Sequence, residues 1–319
     1  MTPLLELVDV HREHRLAGGA AVRAVDGVSF ELAAGETLAL VGESGCGKST
    51  LGRCVAGLSP PTSGEIRFHG EQIPAHSRRA LRPFRRRIRM VFQDHGASVN
   101  PRRRIRAALA APLRVHGLPH DEDALRQVMA MVDLRPELLD RYPHELSGGQ
   151  RQRIGVARAI AVRPELVVLD EAVSALDVSV QAQICNLLKD LQEELGVSYL
   201  FISHDLGVVR QVADRIAVMY LGRIVEMGTP EQLYTAPSHP YTEALLSAVP
   251  IPDVDAERRS RIVLEGEVSS AIDPPAGCRF HPRCRYATDV CRATSPELAP
   301  TGEARLAACH HPRAFQQRD

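Results

Sequence analysis

A glycine-rich stretch near the start of the chain has the residue types and spacing of a phosphate-binding loop. It fits the pattern G-x-x-x-x-G-K-S/T without a gap and consists of Gly42, Glu43, Ser44, Gly45, Cys46, Gly47, Lys48, Ser49 and Thr50. Glycines lack a Cβ, so the main chain can wrap its N–H groups around an anion. Lys48 is suited to the β- and γ-phosphates and the Ser49 hydroxyl to Mg²⁺. The stretch predicts a site for a nucleoside triphosphate.

The elements on either side of this loop are those that it requires. An apolar run of strand length, Thr37 to Val41, precedes it, and a helical run, Leu51 to Leu58, follows it and is expected to end at Gly57. The helix directs the positive end of its dipole at the same anion. Strand, turn and helix in this order favour a real site over a chance match.

A second set of candidate residues follows another apolar run. Leu166 to Asp170 predicts a buried parallel strand that ends in two carboxylates, Asp170 and Glu171. Acids in such a place need a counter-ion, and Mg²⁺ on a nucleotide supplies it. We expect Asp170 to hold the metal and Glu171 to act as general base on the attacking water. The alternative is two surface acids at a strand end.

Two more segments place polar residues where anions bind. The first is a turn that opens a helix and consists of Ser147, Gly148, Gly149 and Gln150, with Ser147 as the expected N-cap. The second is His204, which follows the strand Ser198 to Ile202. Ligand contacts collect at the carboxyl ends of strands in α/β sheets, although a lone histidine is more often structural.

Composition limits the class of protein. The chain has 319 residues, of which 44% are hydrophobic, enough for one large domain with an appendage. Its 39 basic and 39 acidic side chains balance, which argues against a protein that binds nucleic acid or anionic lipid. No apolar run reaches the length of a membrane span, and no secretory signal is visible. We expect residence in the cytosol.

Periodicity predicts how the rest of the chain is organised. The segments Leu4 to Val10, Val22 to Leu32 and Glu65 to His69 alternate as strands and predict a small antiparallel layer. Residues 102–142 predict a helical insert, with Asp121 as an N-cap. The fold class expected is therefore α/β, with an antiparallel layer and a helical insert around the phosphate loop.

The order of these motifs resembles that of the ATP-binding-cassette (ABC) ATPases. In chain order the motifs are the phosphate loop, Gln93 at the end of a strand, the Leu-Ser-Gly-Gly-Gln run, the Leu-Val-Val-Leu-Asp-Glu run, the Ser-Ala-Leu-Asp run ending at Asp177, and His204. The resemblance covers residues 1–235. It implies a RecA-like P-loop NTPase core, an antiparallel β subdomain and an α-helical subdomain at about residues 95–160.

The resemblance also implies a mechanism. Two cassettes dimerise head to tail, and ATP lies between the phosphate loop of one and Ser147–Gln150 of the other. Because each motif occurs once here, the second cassette comes from another chain. Gln93 would touch Mg²⁺ and the attacking water, His204 would contact the γ-phosphate, and Asp177 would communicate across the dimer.

Three positions leave alternatives open. His14 aligns with the residue that stacks on adenine, which is usually aromatic, and Ala172 stands where proline is usual after the catalytic glutamate. Cys46 lies beside Lys48 and a helix N-terminus, conditions that favour a thiolate. It is either a reactive thiol or a small residue that fits the loop.

The C-terminal part, residues 236–319, resembles the extension of the ATPase subunits of dipeptide, oligopeptide and nickel importers, and the run Ser238 to Pro250 carries this resemblance. The segments Ser98 to Arg102 and Ser174 to Gln183 of the cassette also resemble that subfamily. Such importers have two ATPase subunits, and this chain resembles the second of them most. It implies a second ATPase subunit, two permease subunits and an extracytoplasmic solute-binding protein, with this chain on the cytoplasmic face of the membrane. The expected cargo is a di- or oligopeptide, with nickel or another small solute as the alternative.

Four cysteines crowd this extension: Cys278, Cys284, Cys291 and Cys309. In a cytosolic chain such a cluster suggests metal binding before disulfides. The spacing is not that of a zinc site, and the region resembles an iron–sulfur site, for which four-cysteine ligation is usual. Zn²⁺ and metal-free thiols are the alternatives to a 4Fe–4S cluster. The expected role is to staple a small segment.

Other classes of cassette ATPase and a nucleic-acid function fit less well. Translation-type members generally carry two cassettes in one chain. Repair-type members separate the phosphate loop from the signature by a long coiled coil, whereas no sustained heptads intervene here. The basic run at 78–89 has no interleaved aromatics, so it indicates a solvated face, and we expect no nucleic-acid partner.

Overall fold

The fold is described by a computed structural model over residues 2–16, 19–75, 77, 79–92, 100–174, 176–248, 262–264, 266 and 269–312. Its strands are β1 (Leu5–Arg15), β2 (Ala21–Leu32), β3 (Thr37–Val41), β4 (Ser63–Phe68), β5 (Glu71–Gln72), β6 (Ile88–Val91), β7 (Leu166–Asp170), β8 (Ser198–Ser203), β9 (Arg215–Tyr220), β10 (Arg223–Gly228), β11 (Ala299–Gly302) and β12 (Arg305–Ala307). Its helices are α1 (Lys48–Val55), α2 (Leu81–Arg87), α3 (Ile105–Val115), α4 (Glu122–Ala130), α5 (Gly148–Ile160), α6 (Val178–Leu195), α7 (Leu206–Val212), α8 (Pro230–Thr235), α9 (Pro240–Ser247) and α10 (Asp289–Ala293).

A large sheet of strand order β11-β12-β10-β9-β3-β8-β7-β6 forms the centre of the molecule. Its strands from β9 through β6 run parallel, and both faces are covered. In β3, Leu38 and Leu40 pack into one hydrophobic cluster while Ala39 and Val41 pack into the other. Alternate side chains point to opposite faces of a strand, so these nearly unbroken apolar strands supply two cores at once.

A second sheet of order β2-β1-β4-β5 is antiparallel. Leu5 pairs with Leu32 on one side and with Phe68 on the other, and these side chains are buried. The antiparallel layer predicted from residues 4–10, 22–32 and 65–69 is confirmed, although β1 continues to Arg15.

The helical insert is also confirmed, and it packs α3, α4 and α5 together. Asp121 is the N-cap of α4 and accepts a hydrogen bond from the main-chain N–H of Ala124. Pro112 lies inside α3. Across the residues that the structure describes, every helix falls short of the length and apolarity that a bilayer span requires.

The C-terminal extension joins the large sheet, which the sequence did not indicate. Strand β12 pairs antiparallel with β10, matching Glu226 with Ala307, and β11 follows at the edge. The Glu226 carboxylate is fully buried and accepts hydrogen bonds from the main-chain N–H groups of Ser238 and His239, at 2.7 and 2.9 Å, and from Arg305 at 2.8 Å. This carboxylate therefore ties α9 and β12 to the core.

Three arginines of the extension pair with carboxylates of the cassette. They are Arg279 with Asp26, Arg283 with Glu43, and Arg305 with Glu226. Each arginine side chain is at most 7% exposed. Removing one partner of a buried pair leaves an uncompensated charge and costs about 3–5 kcal/mol, so the pairs fix where the extension sits.

The N-cap residue of α9, His239, makes the stability of the fold depend on pH. The His239 ring is buried, its Nδ1 accepts a hydrogen bond from the main-chain N–H of Tyr241, and burial lowers its pKa to about 3. The folded protein therefore binds this proton less readily than the unfolded chain does. Stability is fully present above pH 6.5 and falls as the pH drops towards 3, at up to about 1.4 kcal/mol per pH unit.

We expect the substitution His239→Asn, which retains an N-cap acceptor, to remove this dependence. Urea unfolding of the wild type and the variant at pH 7, 6 and 5 should show their stabilities converging by about 2 kcal/mol between pH 7 and 5. The exposed His120 provides the control, since His120→Asn should track the wild type. Parallel curves for wild type and His239→Asn would contradict the assignment.

Candidate active site

The site lies where three adjacent parallel strands end. Strand β8 lies between β3 and β7, with Val41 paired to Ser203 and Asp170 paired to Ile202. The residues that follow these strands are therefore brought to one edge of the sheet. These are the phosphate loop after β3, Glu171 after β7 and His204 after β8, the expected arrangement for an α/β ligand site.

Two glycines of the phosphate loop have conformations and surroundings that exclude a side chain. Gly42 has φ +152°, and a Cβ there would lie 2.2 Å from the main-chain oxygen of Met219. Gly47 has φ +109°, and a Cβ there would lie 1.9 Å from the main-chain oxygen of Ala24. The loop is thus pressed against β9 and β2, which explains why its pattern demands glycine at these positions.

Lys48 begins α1 and is 4% exposed. Its Nζ donates hydrogen bonds to the main-chain oxygens of Gly42, at 2.8 Å, and Glu43, at 2.9 Å. The ammonium is thereby held over the loop by two carbonyl oxygens, and it lines the same cavity as the loop's glycines.

The metal-binding residues expected from the sequence are adjacent. The Ser49 hydroxyl donates to Oδ1 of Asp170 at 2.6 Å. Burial raises the pKa of Asp170, whereas the Ser49 hydrogen bond and the charge of Arg53 act in the opposite direction. A hydroxyl and a carboxylate are hard oxygen donors, and Mg²⁺ is commonly bound by one or two carboxylates together with substrate phosphates. The donor set fits Mg²⁺.

Glu171 and His204 face each other across the end of the sheet. Nδ1 of His204 lies 3.5 Å from a carboxylate oxygen of Glu171, whose side chain is 12% exposed. Glu171 has φ +49°, a left-handed conformation that is uncommon for a non-glycine residue. Its N–H donates to the main-chain oxygen of Ile202, which fixes this turn at the strand end.

A cavity of about 540 Å³ gathers most of these groups. It is lined by Val22, Ala24, Ser44, Gly45, Gly47, Lys48, Ser49, Thr50, Glu171 and His204. The phosphate-binding, metal-binding and base residues predicted from the sequence therefore meet at one place, with Asp170 reached through Ser49.

Three other residues predicted for the site are not among those that line the cavity. Gln93 lies outside the described residues. His14 is exposed on β1, where it pairs with Val22, so it stands next to the cavity wall without lining it. Asp177 is exposed at the N-terminus of α6 and makes no capping hydrogen bond with its side chain.

The Ser-Gly-Gly-Gln turn has Ser147 as the N-cap of α5, as expected, and in addition forms a capping box. The Ser147 side chain accepts from the N–H of Gln150 at 3.2 Å, and the Gln150 side chain accepts from the N–H of Ser147 at 3.0 Å. The capping box presents the positive end of the thirteen-residue helix α5 at the surface. These residues do not line the cavity of their own chain's phosphate loop.

The structure favours the packing interpretation of Cys46 over the reactive-thiol one. The residue is 5% exposed, and burial raises its pKa even though the Lys48 ammonium opposes the shift. A Cβ on Gly42 would lie 2.9 Å from the Cys46 sulfur. Cys46 is a packing residue of the loop.

Sequence reasoning missed two residues that contact the loop from the extension. The main-chain N–H of Glu43 donates to the Tyr241 hydroxyl at 2.8 Å. Arg283 donates to both carboxylate oxygens of Glu43, at 2.8 and 3.3 Å. No local motif marks either residue in the sequence beyond its place in the extension.

The four cysteines of the extension are free. Burial raises the pKa of the thiols of Cys278, Cys284 and Cys309, while main-chain N–H groups donating to their sulfurs act in the opposite direction. The other three cysteines also raise the pKa of Cys309, so the four thiols are close enough to interact. Within the described ranges, no three His, Cys, Asp or Glu side chains are placed to hold a metal ion.

Fold and site together define an ATP-binding cassette. Residues 25–174 match the family described as ABC transporter, and residues 225–291 match the family described as oligopeptide/dipeptide transporter, C-terminal region.

Two curated relatives span almost the whole chain. The oligopeptide transport ATP-binding protein AppF of Bacillus subtilis is 48% identical and covers 96% of this chain and 97% of its own. The dipeptide transport ATP-binding protein DppF of Haemophilus influenzae is 48% identical and covers 97% of each.

Two solved structures match with a TM-score of 0.65 and 28% identity. The structure of cbiO1 from Clostridium perfringens, part of the ABC transporter complex cbiONQ, covers 73% of this chain and 91% of its own. The dimeric post-hydrolysis structure of the ATP-binding cassette MJ0796, bound to ADP and Pi, covers 71% and 98%. The chain belongs to the family of ABC-transporter ATP-binding subunits that carry the oligopeptide/dipeptide C-terminal region, and it is an ATPase.

We expect Gly47→Ala to abolish ATP binding, because its Cβ would collide with the main chain of Ala24. Titration with a fluorescent ATP analogue should show affinity reduced by more than about 100-fold. Gly35→Ala is the matched control, since Gly35 has φ +73° with no heavy atom within 4 Å of a built Cβ. It should lose about 1–2 kcal/mol of stability and bind ATP normally. Normal binding by Gly47→Ala would refute the close-approach argument.

Proposed function

We propose that this chain hydrolyses ATP to power the import of di- or oligopeptides across the cytoplasmic membrane. ATP hydrolysis, the first part of this proposal, is supported by one observation: Lys48, Ser49, Glu171 and His204 line the same cavity. The match of residues 225–291 to the oligopeptide/dipeptide C-terminal region supports the cargo, as do the names of the relatives. Residues 1–235 form the cassette and residues 236–319 its extension.

The catalytic roles follow from position and chemistry. The loop N–H groups and Lys48 bind the phosphates, and Ser49 and Asp170 would hold Mg²⁺, which would supply positive charge to the phosphates. Glu171 accepts a proton from the attacking water as general base. Its contact with His204 orients the carboxylate, and His204, with its more exposed ring, contacts the γ-phosphate. Gln93 is assigned to Mg²⁺ and the water by its motif alone.

A second cassette completes the site. The capping box at Ser147 leaves the helix N-terminus facing solvent, where an anion on another chain can approach it. A head-to-tail dimer would place ATP between the phosphate loop of one chain and Ser147–Gln150 of the other, with the exposed Asp177 at the seam. The dimeric state of the similar cassette MJ0796 supports this arrangement.

A surface groove is suited to a permease. It is lined by residues that include Met90 of β6, Gly155 of α5, Arg85 and Phe92. Phe92 directly precedes Gln93 in the sequence. A short cytoplasmic helix of a transmembrane partner would bind in this groove. Two permeases, a second ATPase and an extracytoplasmic binding protein complete the importer, with this chain peripheral on the cytoplasmic face.

The four cysteines are proposed to hold a metal centre, an iron–sulfur cluster in preference to Zn²⁺. Four free thiols in one segment and main-chain N–H groups that donate to three of the sulfurs support this proposal, whereas the described side chains are not gathered into a set of three ligands. Such hydrogen bonds are a feature of cysteine-ligated clusters. The centre would staple the extension.

We expect Glu171→Gln to hydrolyse ATP at least about 100-fold more slowly while retaining ATP binding, because the amide cannot accept the proton. The assay is ATP turnover by the importer reconstituted with its permeases, second ATPase and binding protein. Wild-type turnover should rise with a peptide-loaded binding protein and not with Ni²⁺. The exposed Glu137 supplies the control Glu137→Gln, which should behave as wild type. Wild-type turnover by Glu171→Gln would overturn the base, and stimulation by Ni²⁺ alone would overturn the cargo.

We expect anaerobically purified protein to contain iron and to absorb at about 400 nm, as cysteine-ligated clusters do. Cys309→Ser should reduce the iron content and the absorbance, whereas Cys185→Ser, at a buried cysteine of α6, should not. Zinc in place of iron would contradict the cluster, and protein without either metal would contradict any metal centre.

A further inference from the structure

The extension and the phosphate loop meet at one residue, Glu43. Its main-chain N–H donates to Tyr241, its main-chain oxygen accepts from Lys48, and its carboxylate accepts two hydrogen bonds from Arg283. The main-chain N–H of Cys46 also donates to its oxygen, at 3.3 Å. Each polar group of Glu43 is therefore engaged, and two of the three sets of contacts come from outside the cassette.

A single peptide unit links Tyr241 to Lys48. The peptide between Gly42 and Glu43 carries the carbonyl that accepts from Lys48 at 2.8 Å and the N–H that donates to Tyr241 at 2.8 Å. A trans peptide is planar and points these two groups in opposite directions. The hydroxyl of Tyr241 thus sets the orientation of the carbonyl on the other side, and a rotation of this peptide would lose both hydrogen bonds.

The contact of Arg283 with Glu43 fixes the side chain of the same residue. The guanidinium is 7% exposed and reaches both carboxylate oxygens, whereas the Glu43 side chain is 28% exposed. A two-point contact between planar groups restricts orientation as well as distance. Arg283 therefore limits how far Glu43 can move.

Both residues are themselves held firmly. The Tyr241 ring is fully buried, with its centroid 4.7 Å from that of Tyr220 and 5.5 Å from that of Phe280. The start of its helix, α9, is tied to the buried Glu226 carboxylate. Arg283 ends a short 3-10 helix that begins at His281. Neither contact is a chance approach of a mobile side chain.

We propose that Tyr241 and Arg283 are positioning residues for ATP binding. They hold the Gly42–Glu43 peptide and the Glu43 side chain in the conformation that aims the Lys48 ammonium and the loop N–H groups at the phosphates. The inference rests on ATP binding at this loop, which belongs to the established family of the chain, and it assigns to the extension a part in that binding.

The test measures the ATP Kd of the full-length chain by titration with a fluorescent ATP analogue. Tyr241→Phe, which removes only the hydroxyl, and Arg283→Gln should each weaken binding about tenfold, because a partly buried group of Glu43 loses its partner. The turnover at saturating ATP should stay within about twofold, since the base at Glu171 is untouched. Arg283→Lys keeps the charge without the two-point geometry and should be intermediate. Arg283→Lys also replaces Arg283→Gln as the test variant if Arg283→Gln fails to fold.

A double variant separates positioning from general stabilisation. If Arg283 acts through Glu43, then Glu43→Gln combined with Arg283→Gln should bind ATP as weakly as either single variant. Arg285→Gln is the control, because Arg285 is 53% exposed and pairs with Glu243 instead. The wild-type Kd in the same titration verifies the site itself. Single variants with the wild-type Kd but a lower unfolding temperature, or a double variant whose losses multiply, would overturn the proposal.

Discussion

The shared edge of three parallel strands is the constraint on which the rest of the molecule depends. Register between β3, β8 and β7 fixes which residues emerge together, so a slip of one residue would turn every core side chain to the wrong face. The apolar runs at Leu38–Val41 and Leu166–Leu169 tolerate no such slip because both faces are packed. The packing of two hydrophobic cores thereby fixes the positions of the Ser49 hydroxyl, the Asp170 and Glu171 carboxylates and the His204 imidazole at one site.

Buried ion pairs determine how the extension is attached to this core. Arg279, Arg283 and Arg305 each enter the cassette at a different carboxylate. Burial by itself raises the pKa of Asp26, but Arg279 and Arg223 lower it below its ordinary value, so the carboxylate remains charged at neutral pH. Such pairs add little net stability compared with apolar packing. Their contribution is specificity: one position of the extension on the cassette pairs all three arginines, and a shifted position would leave buried charges unpaired.

Sequence alone located most of the site because its chemistry is local. The phosphate loop, the acids at the end of β7 and the N-cap at Ser147 each need only a few consecutive residues, and all were predicted. The contacts of Glu43 with Tyr241 and Arg283 join residues 198 and 240 positions apart, and no periodicity records such a pairing. The environment of Cys46 is a further example: its sequence neighbour Lys48 favours a thiolate, whereas burial in the folded loop raises the pKa of the thiol.

The pairing of β12 with β10 has a consequence for the cassette taken by itself. Without the extension, β10 would be the outermost strand of the large sheet, with main-chain groups at Val225, Glu226 and Met227 left open to solvent. An open strand of this kind is a template for joining to other chains. The buried Glu226 would also lose its arginine. A chain shortened to residues 1–235 would therefore be prone to aggregate, and the extension acts as a permanent cover for the sheet.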